Sequence, residues 1–150
     1  EIGQLFEGLK ERGVWDQTLI VVTSDHGEEL AERGGIEHGH TMHEELLHVP
    51  FLWKLPADWR RGRGRVDPTL VETRSLLPTL FDLVGQPVAP EVSAPSLLPK
   101  VAGRPLEAKP FEFVAAEANG IFSVRDERWK LIVTPATSAS PWMSGGTLSA

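Results

Sequence analysis

The run Thr18-Leu-Ile-Val-Val-Thr-Ser24 constrains this chain most, because its apolar and β-branched residues follow one another without polar alternation. A strand of that kind is buried on both faces, the pattern of a parallel sheet covered by helices. Just before it, Ile2, Leu5, Phe6 and Leu9 repeat at the spacing of one helix face, and Gly13 closes that helix. A helix feeding directly into a doubly buried strand implies an α/β fold. With 150 residues and 41% hydrophobic content, the chain is long enough to bury a core.

Val49-Pro-Phe-Leu-Trp-Lys-Leu55 reads as a second strand, with Pro50 at its entry. Pro56 to Pro68 is expected to be a loop carrying Arg60, Arg61, Arg63 and Arg65, followed by a short extended piece near Leu70 and Val71. Leu76, Leu77, Leu80, Phe81 and Val84 give a further helix ended by Gly85, in which Pro78 suits an early turn. Residues 86–110 read as proline-rich and irregular. Phe111–Ala116, Gly120–Arg125 and Trp129–Val133 alternate like an antiparallel meander, and Ser138–Ala150 reads as a loop or frayed terminus. The expected division is therefore 1–110 and 111–150. Glu1 begins inside a helical pattern with no cap before it, so both ends are expected to be cuts in a longer protein.

Charge and composition exclude several classes. A net charge of −6 and a pI near 5.4 argue against a nucleic-acid partner, and the arginines between positions 60 and 65 lack the aromatic residues that would interleave them in such an interface. No apolar run is long enough for a transmembrane segment. With no cysteine there is no disulfide framework, thiolate zinc site or cysteine nucleophile in this stretch, while the compartment stays open, an exported or periplasmic one included.

All five histidines lie between positions 26 and 48. Thr23-Ser24-Asp25-His26-Gly27-Glu28 puts a carboxylate and an imidazole at the C-terminal mouth of the buried strand, where open α/β sheets place their ligands. A chain turning at Gly27 lets Asp25 and His26 converge on one metal ion; the competing reading makes Asp25 a helix N-cap with Glu28 as its capping-box partner. Farther on, Glu37-His38-Gly39-His40-Thr41-Met42-His43-Glu44 sets two imidazoles in a flexible loop, where they suit metal binding, an anionic substrate oxygen or general-acid work. Thr41 and Glu44 read as the capping box of a short helix from Met42 to Leu47, and His43 and His48 as solvated.

Residues 15–55, with Trp-Asp-Gln-Thr-Leu-Ile-Val-Val-Thr-Ser-Asp-His-Gly-Glu and then Glu-His-Gly-His-Thr-Met-His-Glu-Glu-Leu-Leu-His-Val-Pro, resemble the second metal-binding segment of the sulfatases, in the alkaline phosphatase superfamily. The resemblance continues through Ser75–Gly85 and Ala94–Pro99, and through Val124-Arg125 and Trp129–Ile132 toward the C-terminal strands of that family. It implies an alkaline phosphatase-like sandwich, a central mostly parallel sheet flanked by helices, present here in part and followed by a small C-terminal antiparallel β segment. It also implies a metal-dependent hydrolase of sulfate esters in which Asp25 and His26 hold one divalent ion, calcium by resemblance, or zinc or manganese if the chemistry is phosphoryl transfer. His38 resembles a histidine that phosphoethanolamine transferases of the superfamily use near the substrate or a second metal. His40 falls where sulfatases often have a histidine next to a substrate-binding lysine, a lysine replaced here by Gly39.

The resemblance further implies that the nucleophile, a formylglycine from a Cys/Ser-x-Pro-x-Arg signature, and other metal ligands come from preceding sequence. Ser93-Ala-Pro-Ser-Leu97 imitates that signature with a leucine in place of the arginine and on the wrong side of the metal motif. The chain alone is accordingly expected to be inactive, and its partner in the whole enzyme to be an anionic sulfate or phosphate ester. Two alternatives stand beside this reading: a phosphoryl or phosphoethanolamine transferase or phosphodiesterase of the same superfamily, and a non-catalytic module in which Asp25, His26, His38, His40 and His43 close a metal site by themselves.

Overall fold

The computed structural model describes residues 1–60, 64–104 and 109–134, so Arg61, Arg63 and the expected tail Ser138–Ala150 lie outside the described residues. The chain divides into two compact units, Glu1–Thr23 with Phe51–Pro110, and Ser24–Pro50 with the segment from Phe111 onward.

In the first unit, helix α1 (Ile2–Glu11) is stopped by Arg12 and by Gly13 at φ +68°, a left-handed conformation that glycine adopts without steric cost. The face expected to be buried is open in this chain: Ile2 is 58% and Leu5 60% exposed. Phe6 alone of its apolar stripe makes a ring contact, edge-on to Trp15 at 5.3 Å between centroids. The chain then makes a single 3-10 turn and enters strand β1 (Ile20–Thr23).

Strand β1 pairs antiparallel with the strand expected at 49–55, here β4 (Phe51–Lys54), in the register Ile20↔Lys54 to Thr23↔Phe51. A parallel partner for β1 is not shown among the described residues. Among the described residues all sheets are antiparallel, and Ile20, Val21 and Val22 are half-buried, so the continuous apolar run marks a strand with more apolar surface than this chain covers. Lys54 donates to the carbonyls of Thr18 and Trp15, and its ammonium lies 4.5 Å from the centre of the Trp15 ring.

A second helix of this unit, Leu76–Leu83, has Pro78 in its first turn and Gly85 at φ +68° just beyond its end, as expected. The stretch expected to be irregular holds a further short helix, Leu98–Val101, and supplies the buried residues Ala94 and Leu97. Thr79 explains why that stretch packs: its hydroxyl donates to the Ser75 carbonyl at 2.6 Å and accepts the Leu97 N–H at 2.8 Å, so a buried amide is satisfied by a side chain.

In the second unit, the polar stretch expected to be one long loop contains a small hairpin, β2 (Glu29–Leu30) paired with β3 (Ile36–Glu37). Helix α2 (Glu44–Leu47) follows, starting two residues later than expected; Leu46 within it and Met42 ahead of it are buried. The capping box expected of Thr41 and Glu44 does not form, because both side chains are committed elsewhere: Thr41 donates to Glu29, and Glu44 accepts from Arg125 and Lys130 at 2.7 Å each. Burial alone would raise the Glu44 carboxyl, but the hydrogen bond and charge of Lys130, with Arg125, hold it below the usual range.

The expected meander is present as β5 (Val114–Ala118), β6 (Ile121–Arg125) and β7 (Lys130–Val133), all antiparallel. Asn119 and Gly120, at φ +52° and +75°, form the two-residue turn between β5 and β6, the Asn-Gly chemistry that a right-twisted hairpin selects. Asp126 closes the next turn by accepting the N–H groups of Arg128 and Trp129.

Candidate active site

The residues after β1 leave strand geometry at once. Ser24 donates to the His26 carbonyl at 2.7 Å, and Asp25 Oδ1 accepts the His26 N–H at 3.1 Å, a local wrap that no helix continues. The reading of Asp25 and Glu28 as a helix cap therefore fails. Backbone N–H groups of Asp25 and His26, together with the nearby His26 ring, hold the Asp25 carboxyl below its ordinary range, so it is an anion at neutral pH.

The His26 ring is oriented by its own neighbour, since Nδ1–H donates to the Gly27 carbonyl at 2.8 Å. That bond turns the Nε2 lone pair outward, toward Asp25 Oδ2 at 3.8 Å. The same carbonyl, with the Asp25 and Glu28 charges, raises the affinity of the ring for a proton, and a cation at Nε2 would compete with it.

Gly27 matters for closeness more than for turning. Its N–H donates to the Leu46 carbonyl at 2.8 Å, and a β-carbon would press on the Glu45 carbonyl oxygen and lie 3.0 Å from Glu45 C and 3.3 Å from Leu46 Cα. Only glycine lets these two backbones approach so far.

His38 is brought to the same place. Its ring stacks on His26 with centroids 4.0 Å apart, and its Nδ1–H donates to Glu28 Oε1 at 2.8 Å. Ligand atoms of His26, Glu28 and His38 all fall within 4.8 Å of one another. His40 is not brought into this cluster: its Nε2–H donates to Glu29 Oε2 at 3.0 Å. His43 is the residue before α2 and His48 the residue after it, so the described residues do not assemble a five-donor site from Asp25, His26, His38, His40 and His43.

Sequence reasoning passed over Glu29 altogether and took Glu28 only for a cap. The signal was the pair itself, because adjacent residues in extended backbone face opposite ways and two carboxylates in succession must meet two different environments. Asn119 was missed as well; its side-chain amide donates to the Gly39 carbonyl at 2.7 Å.

The family model of the sulfatases matches residues 1–86. This chain belongs to the sulfatase family. It is 32% identical over 128 residues to the multifunctional alkaline phosphatase superfamily protein PehA of Trinickia caryophylli, an alignment that takes in 83% of this chain and 23% of that protein. Against arylsulfatase K of Xenopus laevis it is 32% identical over 98 residues, 65% of this chain and 18% of the relative. The phosphonate monoester hydrolase of Silicibacter pomeroyi is similar in structure, with a TM-score of 0.73 and 29% identity over 88% of this chain and 29% of the hydrolase. The chain thus spans about a quarter of these members of the sulfatase family and its neighbours, and it shares their alkaline phosphatase-like fold over that span.

Proposed function

We propose that this chain supplies part of the active site of a metal-dependent sulfate ester hydrolase. The observation that carries the reading is the Asp25–His26 pair, an anionic oxygen and an outward imidazole nitrogen 3.8 Å apart. Donors that bind one ion at about 2.0–2.6 Å can span that separation, and the set of one carboxylate and one imidazole fits a divalent cation. When bound, such an ion polarises the ester oxygens and the attacking group. Two donors from this chain leave the remaining positions to other parts of the protein.

His38 is the substrate contact in this reading. Glu28 holds its Nδ1–H, so that Nε2, when protonated, can donate to an ester oxygen or serve as a general acid. Calcium is the proposed ion, with zinc or manganese if the ester is a phosphate. On the same reading the β1–β4 pair, with β4 spanning Phe51–Lys54, belongs to the mostly parallel central sheet of the sandwich, and residues 1–110 to the catalytic domain.

Hydrolysis of phosphate or phosphonate monoesters is the second reading, favoured by the likeness to PehA and to the Silicibacter hydrolase. The test is turnover of aryl sulfate, aryl phosphate and aryl phosphonate by the full-length protein, before and after chelation. The expected result is aryl sulfate as the best substrate, activity lost on chelation and restored by calcium, and a loss of at least about 100-fold in Asp25→Ala and His26→Ala. Undiminished turnover in either variant would remove the proposal; a phosphonate preference would install the second reading in its place.

A further inference from the structure

We propose that Glu29 is a positioning residue that fixes the His38 loop through His40 and Thr41, and that His40 serves the site by this anchoring without touching substrate. The inference rests on the assignment of His38 to the substrate. It begins from burial: Glu29 is 1% exposed, the deepest ionisable side chain among the described residues, and a buried carboxylate persists only when its oxygens are partnered. Both are. Oε1 accepts the Thr41 hydroxyl at 2.6 Å and Oε2 accepts His40 Nε2–H at 3.0 Å. The Thr41 bond, with His40, outweighs desolvation and keeps the carboxyl below its ordinary range.

The turn of the β2–β3 hairpin closes over this pair. A β-carbon at Gly35 would lie 2.5 Å from His40 Nε2 and 2.6 Å from Glu29 Oε2, so the position accepts no side chain while the bond exists. Gly39, at φ +85°, is held from the other side by Asn119 on its carbonyl. Residues 39, 40 and 41 are therefore each tied down, immediately after His38.

Consecutive carboxylates divide the work. Glu28 takes His38 and Glu29 takes His40; residues two apart in extended backbone would share a face, and the left-handed conformation of Gly39 between the two histidines, φ +85°, breaks that pattern. His38 itself is half exposed, its ring held by Glu28 and resting on His26 at 4.0 Å. Fixing the three following residues holds the backbone behind that ring before substrate arrives, so less ordering is left for binding. His40, with Nε2 committed and 16% of its side chain exposed, has little surface left for a ligand.

The experiment uses the full-length protein, isotopically labelled on histidine. Long-range nitrogen–proton spectra are expected to place His40 in the Nε2–H tautomer, and Glu29→Ala to abolish that signature and broaden His38. In the same variant kcat/KM for aryl sulfate should fall at least 10-fold with calcium affinity unchanged within two-fold, and Glu29→Gln, which keeps an acceptor for Thr41, should recover to within about three-fold. A folded Glu29→Ala protein with wild-type kcat/KM overturns the proposal, as does His40 found in the Nδ1–H form, or a parallel loss of calcium affinity. If Glu29→Ala does not fold, Thr41→Val decides: a drop of about three-fold is expected, and no change overturns. An inactive wild type would defeat the hydrolase reading alone, because the tautomer and the His38 line width still test the anchor.

Discussion

In the β1–β4 pair Leu52 is 58% exposed and the strand residues Ile20 to Val22 are only half-buried, whereas in the excursion that joins those strands Glu29 is 1% exposed and Met42 3%. The regular element is thus the loosely covered one, and the polar excursion is the tightly specified one. A strand pair keeps its shape through repeated backbone bonds that no single side chain controls. The excursion keeps its shape through individual contacts, each made once, at Gly27, Glu29, Gly39 and Glu44.

If that contrast is right, Gly27→Ala does the greatest damage to stability. The added β-carbon meets backbone on the Glu45 side, which cannot rotate away as a side chain would. A loss of about 3 kcal/mol is expected, read as a lowered urea midpoint with an unchanged slope, and a variant as stable as the parent would break the comparison.

A smaller effect is expected at Asp67, in the unit that holds the strand pair. The Thr69 hydroxyl and the Lys100 ammonium, the latter at 2.9 Å, with the Thr69 N–H at 3.1 Å, outweigh burial and lower its carboxyl from 3.8 to about 2. Because the folded value lies below the unfolded one, the stability it confers is complete above pH 4 or so and disappears as pH falls toward 2. With the side chain 32% exposed, solvent screening leaves about 1 kcal/mol. Asp67→Asn should flatten the dependence of the unfolding midpoint on pH in that window; an equally steep acid limb would assign it elsewhere.

Leu52→Ala should cost least, about 0.5 kcal/mol or less in this chain, given how much of the side chain already faces water. A cost above that of Gly27→Ala would reverse the ranking of the two regions.

The same contrast explains what could be read from the residues. Helices closed by Gly13 and Gly85, the strand after Thr18 and the meander after Phe111 carry periodicity and turn chemistry that act locally, so they were legible. The pairing direction of β1 was not, since an apolar run records how much surface is to be covered and not which strand lies beside it. Leu98–Val101 was hidden by its proline, although Pro99 suits a first turn. Within the site, Asp25, His26 and His38 stood out by residue type and spacing. The partners that orient them, Glu28 and Glu29, were obscured because a glutamate looks the same in sequence whether it caps a helix, faces water or anchors a buried imidazole.

Thr23 lies opposite Phe51 in the β1–β4 register, so the chain departs from the strand pair and returns to it at adjacent points. Everything from Ser24 to Pro50 is therefore a detour whose two feet are already pinned. Closing a connection between two points so near is cheap, rising by only about 0.6 kcal/mol for each doubling of a flexible connection's length. The shape of the detour is thus set by its own contacts at Gly27, Glu29, Gly39 and Glu44, and not by the distance between its ends.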